Sequence, residues 1–189
     1  MRGSLYVDRT GVWDGDLVVV TTVGEVWRIT AAGVPTLVTA VAGVHLEGAV
    51  VVPDAPARYG PLSGRVLAGA EAQGLLHAFA QDGTSASYML GVAVEDIEIV
   101  PPRENFFGVN FGTGRLLGAP AAEFEPLAGD ILLTQENVTA GTSGLFVVRW
   151  DGMTLSAQPV PLAPASAAVG QWEHVTFAPA GIVEVPPIP

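Results

Sequence analysis

His45-Leu46-Glu47-Gly48-Ala49-Val50-Val51-Val52-Pro53 sets out a pattern that the chain writes twice more, as Val94-Glu95-Asp96-Ile97-Glu98-Ile99-Val100-Pro101 and as Trp172-Glu173-His174-Val175-Thr176-Phe177-Ala178-Pro179. Each copy opens on a carboxylate, passes a small or polar residue, runs through apolar residues suited to a pleated surface, and stops at a proline that cannot donate to a sheet ladder. The unit is a β-strand with an acidic head.

Hairpins surround these strands. Asp16–Thr22, the turn Val23-Gly24 and Glu25–Thr30 form one, with apolar and polar residues alternating in its second arm. A further strand at 36–41 leads to the head at Glu47. After a proline-rich link at 53–61 the order returns: Arg65–Ala70, Gly74–Phe79, the turn Gln81-Asp82-Gly83, a strand at 85–90 and the head at Glu95. The two heads are 95 − 47 = 48 residues apart, and Gly15 and Gly64 are 64 − 15 = 49 apart. Two landmarks agreeing within one residue define an internal repeat, and about 40–50 residues holding four strands is the period of propeller blades.

The third pass is irregular. A short hairpin at 106–118 and a loop or helical turn at 119–127 precede the hairpin arms at 129–136 and 144–150, a strand at 155–160 and the head at Glu173. The spacing is now 173 − 95 = 78, about one and a half blades, so either a blade is incomplete or one lacks its acidic head. The tail, Gly181–Pro189, reads as a final strand able to close a ring. No stretch carries a helical period, and 23 glycines and 15 prolines punctuate the chain. The reading is an all-β propeller of about four blades in one domain over residues 1–189, either a small ring or an open arc. An open arc predicts self-association or blades supplied by sequence beyond this stretch.

Composition narrows the function classes. A net charge of −11, with all eight basic residues arginine and none clustered, argues against nucleic acid, which requires a positive surface. Although 49% of residues are hydrophobic, no run approaches the roughly 18 apolar residues of a membrane span. The absence of cysteine removes disulfides and thiolate chemistry. Residues 1–9 enter strand-like sequence directly, without the apolar core of an export signal.

The three heads and the glycine-punctuated hairpins resemble those of bacterial exported β-propeller proteins, and more distantly the six-bladed propellers of the regucalcin and gluconolactonase type. The resemblance implies an extracellular or periplasmic setting and one divalent cation at the channel mouth, held by a glutamate from an innermost strand with Asn and Asp from other blades. It carries over to Glu47, Glu95, Glu173 and Asn110.

If the acidic-headed strands are innermost, their heads converge at one mouth. Clustered carboxylates repel one another, which suits a hard cation such as calcium, with Asp96, Asn110, Gln135 or Glu136 as further oxygen ligands. The alternative is structural, each glutamate capping backbone N–H groups of the next blade. His45 and His174 flank heads, but residues 173 and 174 point to opposite faces of a strand, which argues against one site using both; His77 reads as structural. Trp27 and Trp150 occupy corresponding hairpin strands and read as core, leaving Trp13 and Trp172 as candidate surface residues. Asn137-Val138-Thr139 fits a glycosylation sequon. No nucleophile elbow, phosphate loop, zincin motif or EF-hand loop occurs. Two functions follow: a non-catalytic domain binding a small-molecule or protein ligand, with calcium or another divalent cation, and a metal-dependent hydrolase of the lactonase type.

Overall fold

The computed structural model describes residues 3–136, 144–161 and 171–179. The tail strand at 181–189 and the sequon at 137–139 lie outside them. Fifteen strands and two four-residue helices, α1 (Pro56–Tyr59) and α2 (Ala121–Phe124), make up the described elements along with short 3-10 turns. The architecture is an all-β, four-bladed propeller.

Blade one is β1 (Gly3–Val7), β2 (Leu17–Thr21), β3 (Glu25–Ile29) and β4 (Pro35–Ala40), in that order. Blade two is β5 (Glu47–Val51), β6 (Val66–Ala70), β7 (Leu75–Phe79) and β8 (Ser85–Tyr88). Blade three begins with β9 (Ile97–Ile99), but the chain then leaves it for β10 (Glu104–Asn110) and β11 (Arg115–Ala119) before returning to β12 (Ile131–Gln135), β13 (Gly144–Trp150) and β14 (Leu155–Pro159). The excursion belongs to blade four, whose sheet order is β11, β10 and finally β15 (Trp172–Pro179).

This insertion accounts for the broken period. From Val52 to Pro56 in blade two is four residues, and from the matching Val100 to Pro120 is twenty, so the hairpin adds 16. Gly64 follows Pro56 by eight and Gly129 follows Pro120 by nine, adding one, and the stretch from that glycine to the next head, 44 residues against 31, adds 13. The total of 30 is the difference between 78 and 48. Blade four shows three strands among the described residues, and Glu47, Glu95 and Glu173 stand at the heads of the innermost strands of three successive blades.

Side-chain alternation explains the packing. In β6, Val66 and Ala68 face blade one, joining Trp13, Val18, Val20 and Val26, while Leu67 faces the core shared with blade three. In β12, Ile131 and Leu133 face blade two, and Leu132 faces Phe106 and Trp172 of blade four. Strands buried on both faces therefore read as continuous apolar runs rather than alternating ones. Among the described residues blade one is covered on one face only: Val18 and Val20 are buried, whereas Leu5 and Val7 are 67% and 58% exposed. The described cores join blades one to two, two to three and three to four, and blades one and four meet across a cleft.

Two tryptophans reverse the sequence expectation. Trp13, in the turn before β2, is fully buried between blades one and two and donates its Nε1–H to the Gly64 carbonyl at 3.2 Å. Trp172 is buried against Phe106, ring centroids 6.0 Å apart. Trp27 and Trp150 are only half-buried. The inversion has a physical cause: Trp13 and Trp172 lie at blade junctions, where a large ring fills the gap between twisted sheets, whereas the outer strands β3 and β13 have less to pack against.

Candidate functional site

Local backbone geometry draws the acidic heads together. Gly48, directly after Glu47, sits at φ 55° within an irregular register between Glu47 and Val50. A Cβ there would lie 2.9 Å from the Ile97 nitrogen and 3.0 Å from the Asp96 Cα, so glycine both permits the bulge and lets β5 approach the start of β9. Gly69 plays the same part from β6, since a Cβ on it would stand 2.3 Å from the Val94 carbonyl oxygen. The head of β9 is then pinned from two sides. Glu95 N–H donates to the Thr134 carbonyl at 3.1 Å, Asp96 N–H to Thr134 Oγ1 at 2.9 Å, and Val175 N–H to Asp96 Oδ2 at 2.9 Å.

The result is a cluster of carboxylates. Oxygen atoms of Glu47, Glu71 and Glu95 lie within 4.8 Å of one another. Burial, followed by the charges of Glu47 and Glu71 and a carboxyl–carboxylate hydrogen bond with Glu47, pushes the Glu95 carboxyl up to about 9. Glu136 is pushed up to about 7 by burial and by its hydrogen bond and charge interaction with Glu173. Glu71 is raised by burial and by the charges of Glu47 and Glu173. Its Oε1 is buried and accepts no hydrogen bond from the described residues. Five glutamates from blades two, three and four thus share one field, in which Glu71, Glu95 and Glu136 are held above the usual carboxylate range.

The structure brings four of the sequence candidates into this field, Glu47, Glu95, Glu136 and Glu173, and engages the other two elsewhere. Asp96 accepts from Val175 N–H and faces His174 Nδ1 at 3.7 Å. Asn110 is fully buried and caps a 3-10 turn through its Oδ1, which accepts from Thr113 N–H at 3.0 Å and Thr113 Oγ1–H at 2.5 Å. Gln135 accepts through its Oε1 from Ala93 N–H at 2.7 Å. His45 Nε2 stands 3.6 Å from Glu47, and His174 is raised above its ordinary value by its interaction with the Asp96 carboxylate, against an opposing effect of burial. His174 therefore reaches the rim of the cluster through Asp96, although strand alternation turns it away from Glu173. His77 is buried and stacked on Phe79, and burial depresses its pKa.

Glu71 has a sequence signal that the acidic-head pattern passes over. It follows Gly64 by seven residues, as Glu136 follows Gly129 by seven. These are equivalent positions at the end of the second strand of blades two and three.

The raised carboxyls fix the sign of a pH effect in metal-free protein. A folded pKa above the unfolded value near 4.5 gives stability that is complete below 4.5 and lost as pH rises, here through about 7 for Glu136 and about 9 for Glu95. His174 acts in the same direction, and His77, depressed below 6.5, acts only at lower pH. The melting temperature in EDTA is expected to fall steadily from pH 6.5 to 9; a flat or rising profile in a fluorimetric melt would contradict the clustered geometry.

No protein-family model and no curated protein sequence matches the chain. Solved structures show distant similarity to lyases. A streptogramin B lyase aligns at TM-score 0.42 and 14% identity, over 86% of this chain and 55% of that one. Selenomethionine-substituted virginiamycin B lyase from Staphylococcus aureus aligns at 0.42 and 13%, over 86% and 56%. A catalytically inactive form of the Staphylococcus aureus enzyme with quinupristin aligns at 0.40 and 12%, over 95% and 70%. The chain spans about half the length of the first two. No helix among the described residues is long and apolar enough to cross a membrane.

Proposed function

We propose that this chain is a non-catalytic, ligand-binding propeller domain that carries a divalent cation, calcium by preference, at the mouth formed by the heads of β5, β9 and β15. The observation that carries the reading is the triad of Glu47, Glu71 and Glu95 within 4.8 Å, together with a buried Glu71 oxygen that accepts no hydrogen bond from the described residues. Burying mutually repelling carboxylates is costly without a compensating charge. An all-oxygen donor set of high negative charge favours a hard cation over zinc or copper. Glu47, Glu71 and Glu95 would hold the ion, with Glu136 and Glu173 compensating its charge from the opposite side.

Titration calorimetry tests this directly. Calcium is expected to bind with one-to-one stoichiometry and Kd about 10 µM or tighter, in the range of charge-rich oxygen sites. Binding should also release protons, since Glu95 and Glu136 must ionise, so the heat will depend on the ionisation enthalpy of the buffer. Absence of binding, or binding that survives Glu95→Gln unchanged, would refute the site.

His174, held beside the cluster by Asp96, favours a second reading: a metal-dependent hydrolase in which the cation polarises a carbonyl and His174 relays a proton. Turnover of lactones or phosphoesters that requires the cation and is lost in His174→Ala would move the assignment to this reading.

A further inference from the structure

The opposite mouth of the channel holds a second and chemically different feature. Where the C-terminal ends of the innermost strands gather, a cavity of about 450 Å³ opens, and all four blades contribute to its wall. Tyr6 comes from β1, Tyr59 from α1 of blade two, Glu98 and Ile99 from β9, and Phe177 from β15. A volume of this order accommodates a small organic molecule. The walls are mostly apolar and aromatic, and Leu5 and Val7 form an exposed apolar rim.

The charged groups of the cavity are Glu98, Glu104 and Arg9, a net negative set. Glu98 projects from the middle of the innermost strand of blade three and is half-buried, whereas Arg9 is exposed at the rim. Glu98 and Arg9 both act electrostatically on the Tyr6 phenol, which places the three together. A carboxylate on a poorly hydrated wall gains most from a partner that brings a positive charge into the cleft. An ammonium group does so, and Tyr6, Tyr59 and Phe177 supply aromatic faces for the cation and its apolar body. An anionic ligand would meet two carboxylates and only one surface guanidinium.

We propose that this cleft is a binding site for a small organic cation, an amine carrying an apolar body, with Glu98 as its charge partner and Tyr6, Ile99 and Phe177 as its walls. Burial pushes the Glu98 carboxyl up to about 7, with the charge of Asp96 adding to the effect and that of Arg9 opposing it. The site is separate from the carboxylate cluster and does not depend on the cation reading.

The test is a titration of the full chain with phenethylammonium chloride at pH 8, where Glu98 is ionised, followed by amide chemical shifts. Shift changes are expected at Tyr6, Glu98, Ile99 and Phe177. The neutral analogue 2-phenylethanol should bind at least about tenfold more weakly, the scale of one desolvated charge pair. Glu98→Gln should weaken the amine by the same factor and leave the alcohol unchanged, whereas Glu123→Gln, at an exposed position of α2, should change neither. Equal affinity for amine and alcohol, loss of binding in Glu123→Gln instead of Glu98→Gln, or no response at the cleft residues would each overturn the proposal. The comparison of amine with alcohol on the wild-type chain keeps the test decisive even if Glu98→Gln folds poorly.

Discussion

Calcium at 1 mM is expected to raise the melting temperature of the wild-type chain at pH 7.5 by about 5–10 °C over the same protein in EDTA. A ligand at about one hundred times its Kd stabilises the folded state by about 2.7 kcal/mol, and each kcal/mol moves the melting point of a chain this size by about 2–4 °C. Glu95→Gln should abolish the rise. In EDTA, by contrast, the variant should melt no lower than wild type, because an amide at the buried position has no proton to hold and repels neither Glu47 nor Glu71. The crossover separates a cation ligand from a merely structural glutamate, whose loss would lower both melting points. An equal calcium response in the variant would dismiss the site.

Trp13→Ala should cost about 3–5 kcal/mol, the usual range for removing a fully buried aromatic ring, against a total stability of about 5–15 kcal/mol for a domain. Trp13 fills the joint between blades one and two and ties it with a hydrogen bond to Gly64. The half-buried Trp27, whose Nε1–H donates to Glu25 at 3.0 Å within its own strand, should cost less than half as much when changed to alanine. Urea denaturation of the two variants checks the ranking. Equal costs would show that the joint between these blades is not where stability resides.

These two residues also mark how far sequence reading reached. The 48-residue period was legible because glycine turns and acidic heads recur at fixed distances, and both are local signals. The placement of the hairpin at residues 104–119 was not. A hairpin inserted into one blade and paired in another has the same alternation as a hairpin that stays at home, and its partner, β15, lies more than fifty residues further on. Tryptophan burial failed for a related reason, since strand patterns predict which face of a sheet is covered but not which junctions need a large ring. The convergence of the acidic heads in space was legible, since Glu47 and Glu173 both act on the Glu95 carboxyl. Glu71, in a turn, was missed because the pattern followed innermost strands only. Asn110 has the right side chain for a ligand, but its oxygen already accepts from Thr113.

The interleaving of the last two blades also orders events during synthesis. As the chain emerges from the ribosome, blades one and two can complete themselves in sequence, each from contiguous residues. Blade three can close around β9 and β12 while the hairpin of β10 and β11 hangs outside it with an unpaired edge. That edge waits until Trp172–Pro179 arrives to cover it. A stalled or truncated chain ending before β15 would therefore present an open, apolar strand edge to its neighbours, the form of nascent chain most exposed to aggregation. The same late strand carries Glu173, so the acidic mouth gains its final carboxylate only when the last described strand has docked.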